Sequence, residues 1–257
     1  EFLLASSERP RAVAEAILGH LYPEGRPARI PVVGVAGGPE RVRVSRLLVE
    51  ALNRSGHRVG LAQEGRAEFS GRILPGRAPS AADAARALLL NPAVEVVVAE
   101  VDRAGVFRDG LGFDQASVGV VTGLDPREDP TLFGFDDPDT LLKAERCVLD
   151  VVLADGFSVL NADDPRIVSM TPKAQGRLVY YSRDAASPLL ADHLASGERA
   201  VFLSKEGLVL AEGESRRSLL PAGLPPGLDP SLALAVSASA WCLGLPDEVI
   251  SSVLREV

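Results

Sequence analysis

The sequence predicts an α/β fold: a P-loop-type, mostly parallel sheet with helices on both faces, plus a small antiparallel hairpin region and C-terminal helices. Three observations predict it. The continuous apolar run 31–35 reads as a strand buried on both faces, and the Val-rich segment 94–101 is the strongest strand in the sequence. Between such runs lie segments with helical spacing of apolar residues, so strand and helix alternate. After residue 195 this alternation gives way to strand–turn–strand.

Taken in order, residues 7–21 have Val13, Ile17 and Leu21 at every fourth position and Ser7 as a cap, which predicts an amphipathic helix. The Pro-, Gly- and Arg-rich stretch 23–29 reads as a linker. The expected division is therefore an N-terminal helix and linker over 1–29 and one larger domain over 30–257. The strand 31–35 ends at Gly37-Gly38, and Val44, Leu47, Leu48, Ala51 and Leu52 give the helix that follows. A strand is expected at 58–62, and Ser80 with Asp83 resembles a capping box opening a helix over 80–90. Strands are expected at 94–101 and 117–122, a helix at 138–153, a strand at 157–161, a short helix at 165–170 and a strand at 177–181. The segments 200–204 and 208–211, joined around Lys205-Glu206-Gly207, read as a hairpin, with a third strand at 216–220. Helices over 230–243 and 246–256 close the chain.

Composition narrows the function classes. The chain has 257 residues, 46% of them hydrophobic, enough for a substantial core. No run approaches the roughly 20 apolar residues of a membrane span, and no signal segment opens the chain. A formal net charge of -8 argues against nucleic acid or an anionic membrane as the main partner. Cys147 and Cys242 fit neither a metal spacing nor a disulfide framework, as expected of free thiols in a reducing cytoplasm. His20, His57 and His193 are isolated from one another. The only lysines are Lys143, Lys173 and Lys205, which limits where a catalytic lysine could come from. The first residue is Glu1 rather than Met, and a piece of a longer protein is expected.

The segment Gly34-Val35-Ala36-Gly37-Gly38-Pro39-Glu40-Arg41-Val42-Arg43 has the layout of a phosphate loop: strand, glycine turn, helix. In such a loop, backbone N–H groups and the helix N-terminus hold the anion, a lysine meets the terminal phosphates, and a Ser or Thr hydroxyl holds Mg²⁺. An ordinary tight strand-to-helix turn has the same layout.

Three segments in order decide the context: 30–48; the run 100–114, from Glu100-Val101-Asp102-Arg103 to Gly112-Phe113-Asp114; and Leu160-Asn161-Ala162-Asp163-Asp164-Pro165. Together they resemble the central, ATP-binding domain of Mur ligases, most like that of cyanophycin synthetases. The resemblance covers roughly residues 8–257, and it implies an ATP-grasp-like domain before this one. In the intact family, ATP and Mg²⁺ are the cofactors, and the reaction is ADP-forming amide bond formation. A third domain, which binds the incoming amino acid, would follow this one.

The chain departs from the family where phosphate and metal are handled. The family has Gly, Lys and Thr where this chain has Glu40, Arg41 and Val42. Pro39 has no N–H to give to an anion. At about 5 Å and an effective dielectric of about 20, a Glu40–phosphate pair costs about 3 kcal/mol. Val42 has no oxygen for Mg²⁺. Arg41 and Arg43 suit phosphate but do not replace the metal ligand. The family's Asn and Asp-His metal-side residues align with Gly123, Arg127 and Glu128, and its lysine, often carbamylated, aligns with Glu145. Lys143 lies two residues away, about 200° around a helix.

Other features persist. By resemblance, Glu100 is the vestigial metal residue. Gly37, Gly38, Arg41, Arg43, Asn161, Asp163 and Asp164 form a vestigial nucleotide set, and no residue is assigned a catalytic role. Asn161, Asp163 and Asp164 equally suit a turn and helix cap ahead of Pro165. Arg103, Arg108 and Asp114 suit an Arg–Asp pair bracing their loop.

Three readings follow. The first is a catalytically silent module, a homo-oligomerisation surface or scaffold with no bound cofactor, as in the second type of cyanophycin synthetase, to which the resemblance extends. The second is a working amide ligase, with Arg41 standing in for lysine and Glu100 holding metal alone. The third is a nucleotide or phosphate sensor without turnover.

Overall fold

The computed structural model describes residues 9–21, 29–76, 78–124 and 138–257. The chain divides into two compact units, Glu1–Ile30 and Pro31–Val257. The first holds helix α1 (Arg9–Leu21), which carries an Arg11–Glu15 pair at 2.8 Å and exposes Val13, Ile17 and Leu18. Ser7 and residues 22–28 lie outside the described residues.

The second unit is built on one sheet. Strand β1 (Val32–Ala36) is apolar along its length and wholly buried. It runs into α2 (Glu40–Arg54), whose Val44, Leu48, Ala51 and Leu52 recur at three- and four-residue spacing and face the core. Then come β2 (Val59–Gln63), β3 (Arg66–Phe69), β4 (Arg72–Ile73), α3 (Ala81–Leu89), β5 (Val96–Val101), α4 (Arg103–Asp109) and β6 (Ala116–Val121). They are followed by α5 (Pro138–Asp150), β7 (Val152–Asn161), α6 (Pro165–Val168), a 3-10 turn (Thr171–Lys173), β8 (Arg177–Ser182) and α7 (Pro188–Ala195). Strands β9 (Arg199–Ser204), β10 (Gly207–Glu212) and β11 (Ser215–Leu220) and helices α8 (Pro230–Cys242) and α9 (Asp247–Arg255) end the unit.

The strand order is β11-β10-β9-β8-β7-β6-β1-β5-β2-β3-β4. From β9 to β2 the neighbours are parallel; the edges beyond them, β9–β10–β11 and β2–β3–β4, are antiparallel. β1 lies between β5 and β6, in register at Val33↔Val98 and Val33↔Val118. The chain thus changes side at β1, the switch point at whose strand ends α/β sheets place their ligands.

Alternate residues of each strand feed two cores. Val33, Val120, Val159, Val179 and Tyr181 face α2, α8 and α9. Val121, Leu160, Tyr180 and Phe202 face the other side, with Val148 of α5 and Leu190 of α7. Helix α8 is buried on nearly every side, as its unbroken small-apolar sequence requires. Caps set the helix starts: Ser80 accepts from the Asp83 amide at 3.1 Å, Asp102 from Gly105 at 2.7 Å and Asp229 from Leu232 at 3.0 Å.

The mostly parallel sheet, the helices on both faces and the hairpin match the expectation, with two differences. The helix expected over 138–153 ends at Asp150, because Val152 already pairs with Ala116 of β6. Helices α4 and α7 and the β3–β4 edge are additions. The hairpin extends the main sheet, since β9 pairs in parallel with β8.

Candidate functional site

The carboxyl ends of β1, β5, β6, β7 and β8 converge on the β1–α2 turn. Gly37 has a φ of 122°, a conformation open to glycine. A Cβ there would lie 2.7 Å from the Gly123 carbonyl oxygen, so the turn is pressed against the end of β6. The Gly38 N–H donates to Gly123 O at 2.8 Å. That donor, which a phosphate would need, is already used within the chain. Pro39 occupies the N-cap position without a side-chain cap, and Glu40 stands in the first turn of α2. Its carboxylate meets the positive end of the helix, where an anionic ligand would otherwise sit. Burial raises the pKa of Glu40 and nearby Asp229 raises it further, while Arg43 and Arg183 pull it down.

Arg41 folds back over its own turn. Its Nη1 donates to the carbonyls of Gly37 at 3.1 Å and Gly38 at 3.3 Å. Arg43 is exposed on α2 beside Glu40. Glu100, buried at the end of β5, accepts from Gln63 Nε2 at 2.5 Å, and Gln63 Oε1 accepts from Arg46 at 3.0 Å. Burial raises the Glu100 carboxyl, against the lowering pull of Gln63, Arg41 and Arg46.

The Leu160–Pro165 segment is held by its own neighbours. Asn161 Nδ2 donates to Thr122 O at 3.2 Å, and Asn161 Oδ1 accepts from the Asp163 amide at 2.9 Å. Tyr181 donates to the same Thr122 carbonyl at 2.9 Å. Asp163 accepts from Ser182 Oγ at 2.5 Å and from Arg183 Nε at 2.9 Å. Burial alone would raise its pKa; Ser182 and Arg183 outweigh that and hold it below the ordinary range. Asp164 caps α6 through the Arg166 amide at 3.0 Å and pairs with the Arg166 guanidinium at 2.8 Å. The contacts of these residues are those of a turn and a helix cap.

Sequence reasoning missed one partnership. Arg103, at the start of α4, pairs with Glu145 of α5 at 2.6 Å. Arg108 pairs with Asp109 at 2.9 Å and Glu64 at 3.6 Å. Burial pushes Glu145 up to about 7, while the charges of Arg103 and Arg41 pull it down. The Gly37 amide faces the same carboxylate, yet Glu145 Oε2 has no hydrogen-bond partner among the described residues. The signal in the sequence was Glu145 itself, an acid at the position where the resemblance implies a lysine. Arg127 and Glu128 lie outside the described residues. Among the described residues, no group of three or more His, Cys, Asp or Glu side chains is arranged to hold a metal ion, and no helix is long and apolar enough to cross a membrane.

A switch-point sheet with a glycine turn at β1 and an acidic residue ending β5 is an arrangement that Mur-type ligases share in their fold. The chain is a Mur-ligase-like domain related to cyanophycin synthetase. It is 31% identical over 257 residues to cyanophycin synthetase of Geminocystis herdmanii, covering 96% of this chain and 29% of that protein. Against the Synechocystis enzyme the identity is 30% over 256 residues, with the same two coverages, 96% and 29%. The chain thus spans under a third of the length of these relatives. No family model matches the chain. The fold is shared with a folylpolyglutamate synthase/dihydrofolate synthase from Yersinia pestis, solved with AMPPNP and Mn ion. That match has a TM-score of 0.57 and 18% identity and covers 98% of this chain and 62% of that one. A D-alanyl-D-alanyl-adding muramoyl peptide ligase from Acinetobacter baumannii gives a TM-score of 0.57 at 14% identity, over 90% of this chain and 46% of that one.

Proposed function

We propose that this domain is a non-catalytic structural or oligomerisation module of a cyanophycin-synthetase-like protein. Its nucleotide site is closed by the chain's own groups. The observation that carries the reading is the state of the β1–α2 turn: the Gly38 N–H is spent on Gly123, and the Gly37 and Gly38 carbonyls hold Arg41. Pro39 and Glu40 stand where a donor and an anion would be needed. A magnesium–triphosphate complex does not fit these residues: Val42 offers no oxygen to the metal, and Glu40 opposes the phosphates. Asn161, Asp163 and Asp164 are committed to the fold. The partners in this reading are further copies of the chain and an ATP-grasp-like domain preceding it. The protein belongs in the cytoplasm, which suits two free cysteines.

Calorimetric titration with Mg-ATP tests the reading. No saturable heat up to about millimolar nucleotide is expected. Micromolar binding without hydrolysis would replace the module by a sensor. ADP release by the parent protein that is abolished by Glu100→Ala would establish a working ligase. Deleting the domain from the parent is expected to change its oligomeric state, and an unchanged state would sink the module reading.

A further inference from the structure

Gln63 ends β2, and Glu100 stands near the end of β5. The two strands run parallel with Ala62 beside Ala99, so the residues that follow, Gln63 and Glu100, are neighbours at the carboxyl end of the sheet. Both are buried. Gln63 Nε2 donates to Glu100 Oε1 at 2.5 Å, and Gln63 Oε1 accepts from Arg46 Nη2 at 3.0 Å. A primary amide has a donor end and an acceptor end, a guanidinium only donates, and a carboxylate accepts. One orientation of the amide therefore satisfies both neighbours. Arg46, on α2, also lies 3.7 Å from Glu68 of β3, and Glu68 pairs with Arg66 at 2.5 Å. The direction of the Gln63 amide is thus imposed from α2 and β3, outside the β1–α2 turn.

We infer that the Gln63 amide is the built-in occupant of the Glu100 carboxylate, with Arg46 as the positioning residue that keeps the N–H end of that amide toward the acid. Hard cations such as Mg²⁺ and Mn²⁺ take oxygen ligands. Gln63 turns to Glu100 the one end that cannot ligate them, and places it on a carboxylate oxygen that a cation would use. The inference rests on the closed-site reading above and deepens it. Beyond the missing oxygen at Val42, the acid at the end of β5 is taken by the neighbouring strand. Replacing Arg46 removes the donor that holds Gln63 Oε1 and frees the amide to turn. Replacing Gln63 by glutamate exchanges a donor for a second oxygen ligand beside Glu100.

Two readouts on the full chain test this. The first is the side-chain amide pair of Gln63 in NMR spectra of nitrogen-labelled protein, identified by its loss in Gln63→Leu. In the native sequence one proton of the pair is expected downfield of the other and slow to exchange with water, as a hydrogen bond to a carboxylate requires. Arg46→Met is expected to speed that exchange at least about tenfold, an effect that a merely structural role of Arg46 on α2 would not produce. A pair unchanged in R46M overturns the positioning role, and a pair unchanged in Glu100→Ala overturns the occupancy. The second readout is Mn²⁺ alone, followed by paramagnetic broadening of the backbone amides around Gln63 and Glu100. The native protein is expected to show no saturable broadening there up to about millimolar Mn²⁺, whereas Gln63→Glu shows it in that range and loses it again when Glu100→Ala is added. A folded Q63E protein without saturable broadening overturns the inference, as does broadening of the native protein that E100A abolishes. If Q63E does not fold, the amide pair alone decides. No nucleotide enters either readout, so failure here is distinct from failure of the closed-site reading, which Mg-ATP titration of the unaltered protein decides.

Discussion

Arg103 Nε lies 2.6 Å from Glu145 Oε1, in a pair whose side chains are only 4% and 2% exposed. The pair ties α4 to α5 beneath the β1–α2 turn. Two charges so far from water are held by each other rather than by solvent. Removing Arg103 takes from Glu145 the nearest charge that offsets its burial. Arg103→Met is therefore expected to cost about 3–5 kcal/mol in urea unfolding. The double substitution R103M/E145L, which removes both charges, should recover most of that loss. A double variant no more stable than R103M would show that the pair holds the helices by geometry and not by mutual neutralisation.

The same carboxylate gives the fold a pH dependence. Glu145 ionises near 4.5 in an unfolded chain, and burial pushes it up to about 7 in the folded one. Between those values the folded protein keeps a proton that the unfolded chain has released. The stabilising contribution is complete below about 4.5 and is lost as pH rises through about 7, by an amount on the order of 3 kcal/mol. Glu100, raised in the same direction, adds a slope of the same sign. Asp163 and Asp164 are held low and act oppositely, at more acid pH. Urea midpoints from about pH 5 to about pH 8 should fall for the native sequence and fall much less for Glu145→Gln. Parallel curves would remove Glu145 from the account.

Much of the fold was legible because buried parallel strands advertise themselves. Val-rich segments of the 94–101 kind read as strands buried on both faces, and β5 is where one was expected. Helix α4 was not legible. It has only seven residues with Gly105 inside, and its start depends on Asp102 capping Gly105, a local signal with no apolar periodicity behind it. Helix α7 announced itself only by Pro188 at its first turn. The end of α5 was misplaced because Val152 and Leu153 continue an apolar pattern that the strand pairing interrupts. At the site, residue types were legible and partnerships were not. Glu40, Arg41 and Val42 can be read along the chain, but the fold-back of Arg41 and the Arg103–Glu145 pair join positions that no spacing connects.

Gly37 offers a test of how tightly the turn is closed. A Cβ there would also collide with Thr122 Oγ1 and fall 2.9 Å from the Gly123 nitrogen, at a φ of 122°. Gly56 also has positive φ, at 86°, but a Cβ added to it would meet nothing within 4 Å. Gly56→Ala measures backbone strain alone and should cost about 1 kcal/mol. Gly37→Ala adds overlap with the end of β6 and should cost about 3 kcal/mol or more. Equal costs in urea unfolding would mean that the turn has room to move away from β6, against the proposed closure of the site.

Far from the turn, five planar groups stack in sequence across the sheet: Arg217, Trp241, Arg199, Phe157 and Arg177. The guanidinium-to-ring distances are 5.0 Å and 4.6 Å on Trp241, then 5.1 Å and 5.4 Å on Phe157. Each arginine also meets an acid: Arg217 pairs with Asp247 at 2.7 Å, Arg199 with Glu212 at 3.1 Å and Arg177 with Glu212 at 3.4 Å. Trp241 thus joins α8 to the outer strands through packing and through two cations at once. Trp241→Ala should cost about 3–5 kcal/mol, mostly lost packing. Arg199→Met, which keeps bulk near the rings, should cost about 1 kcal/mol for the lost cation–π contacts. With Trp241 already removed, most of that smaller cost should vanish, since the stack is then broken at its centre. Strict additivity of the two substitutions would show that Arg199 acts through Glu212 and not through the rings.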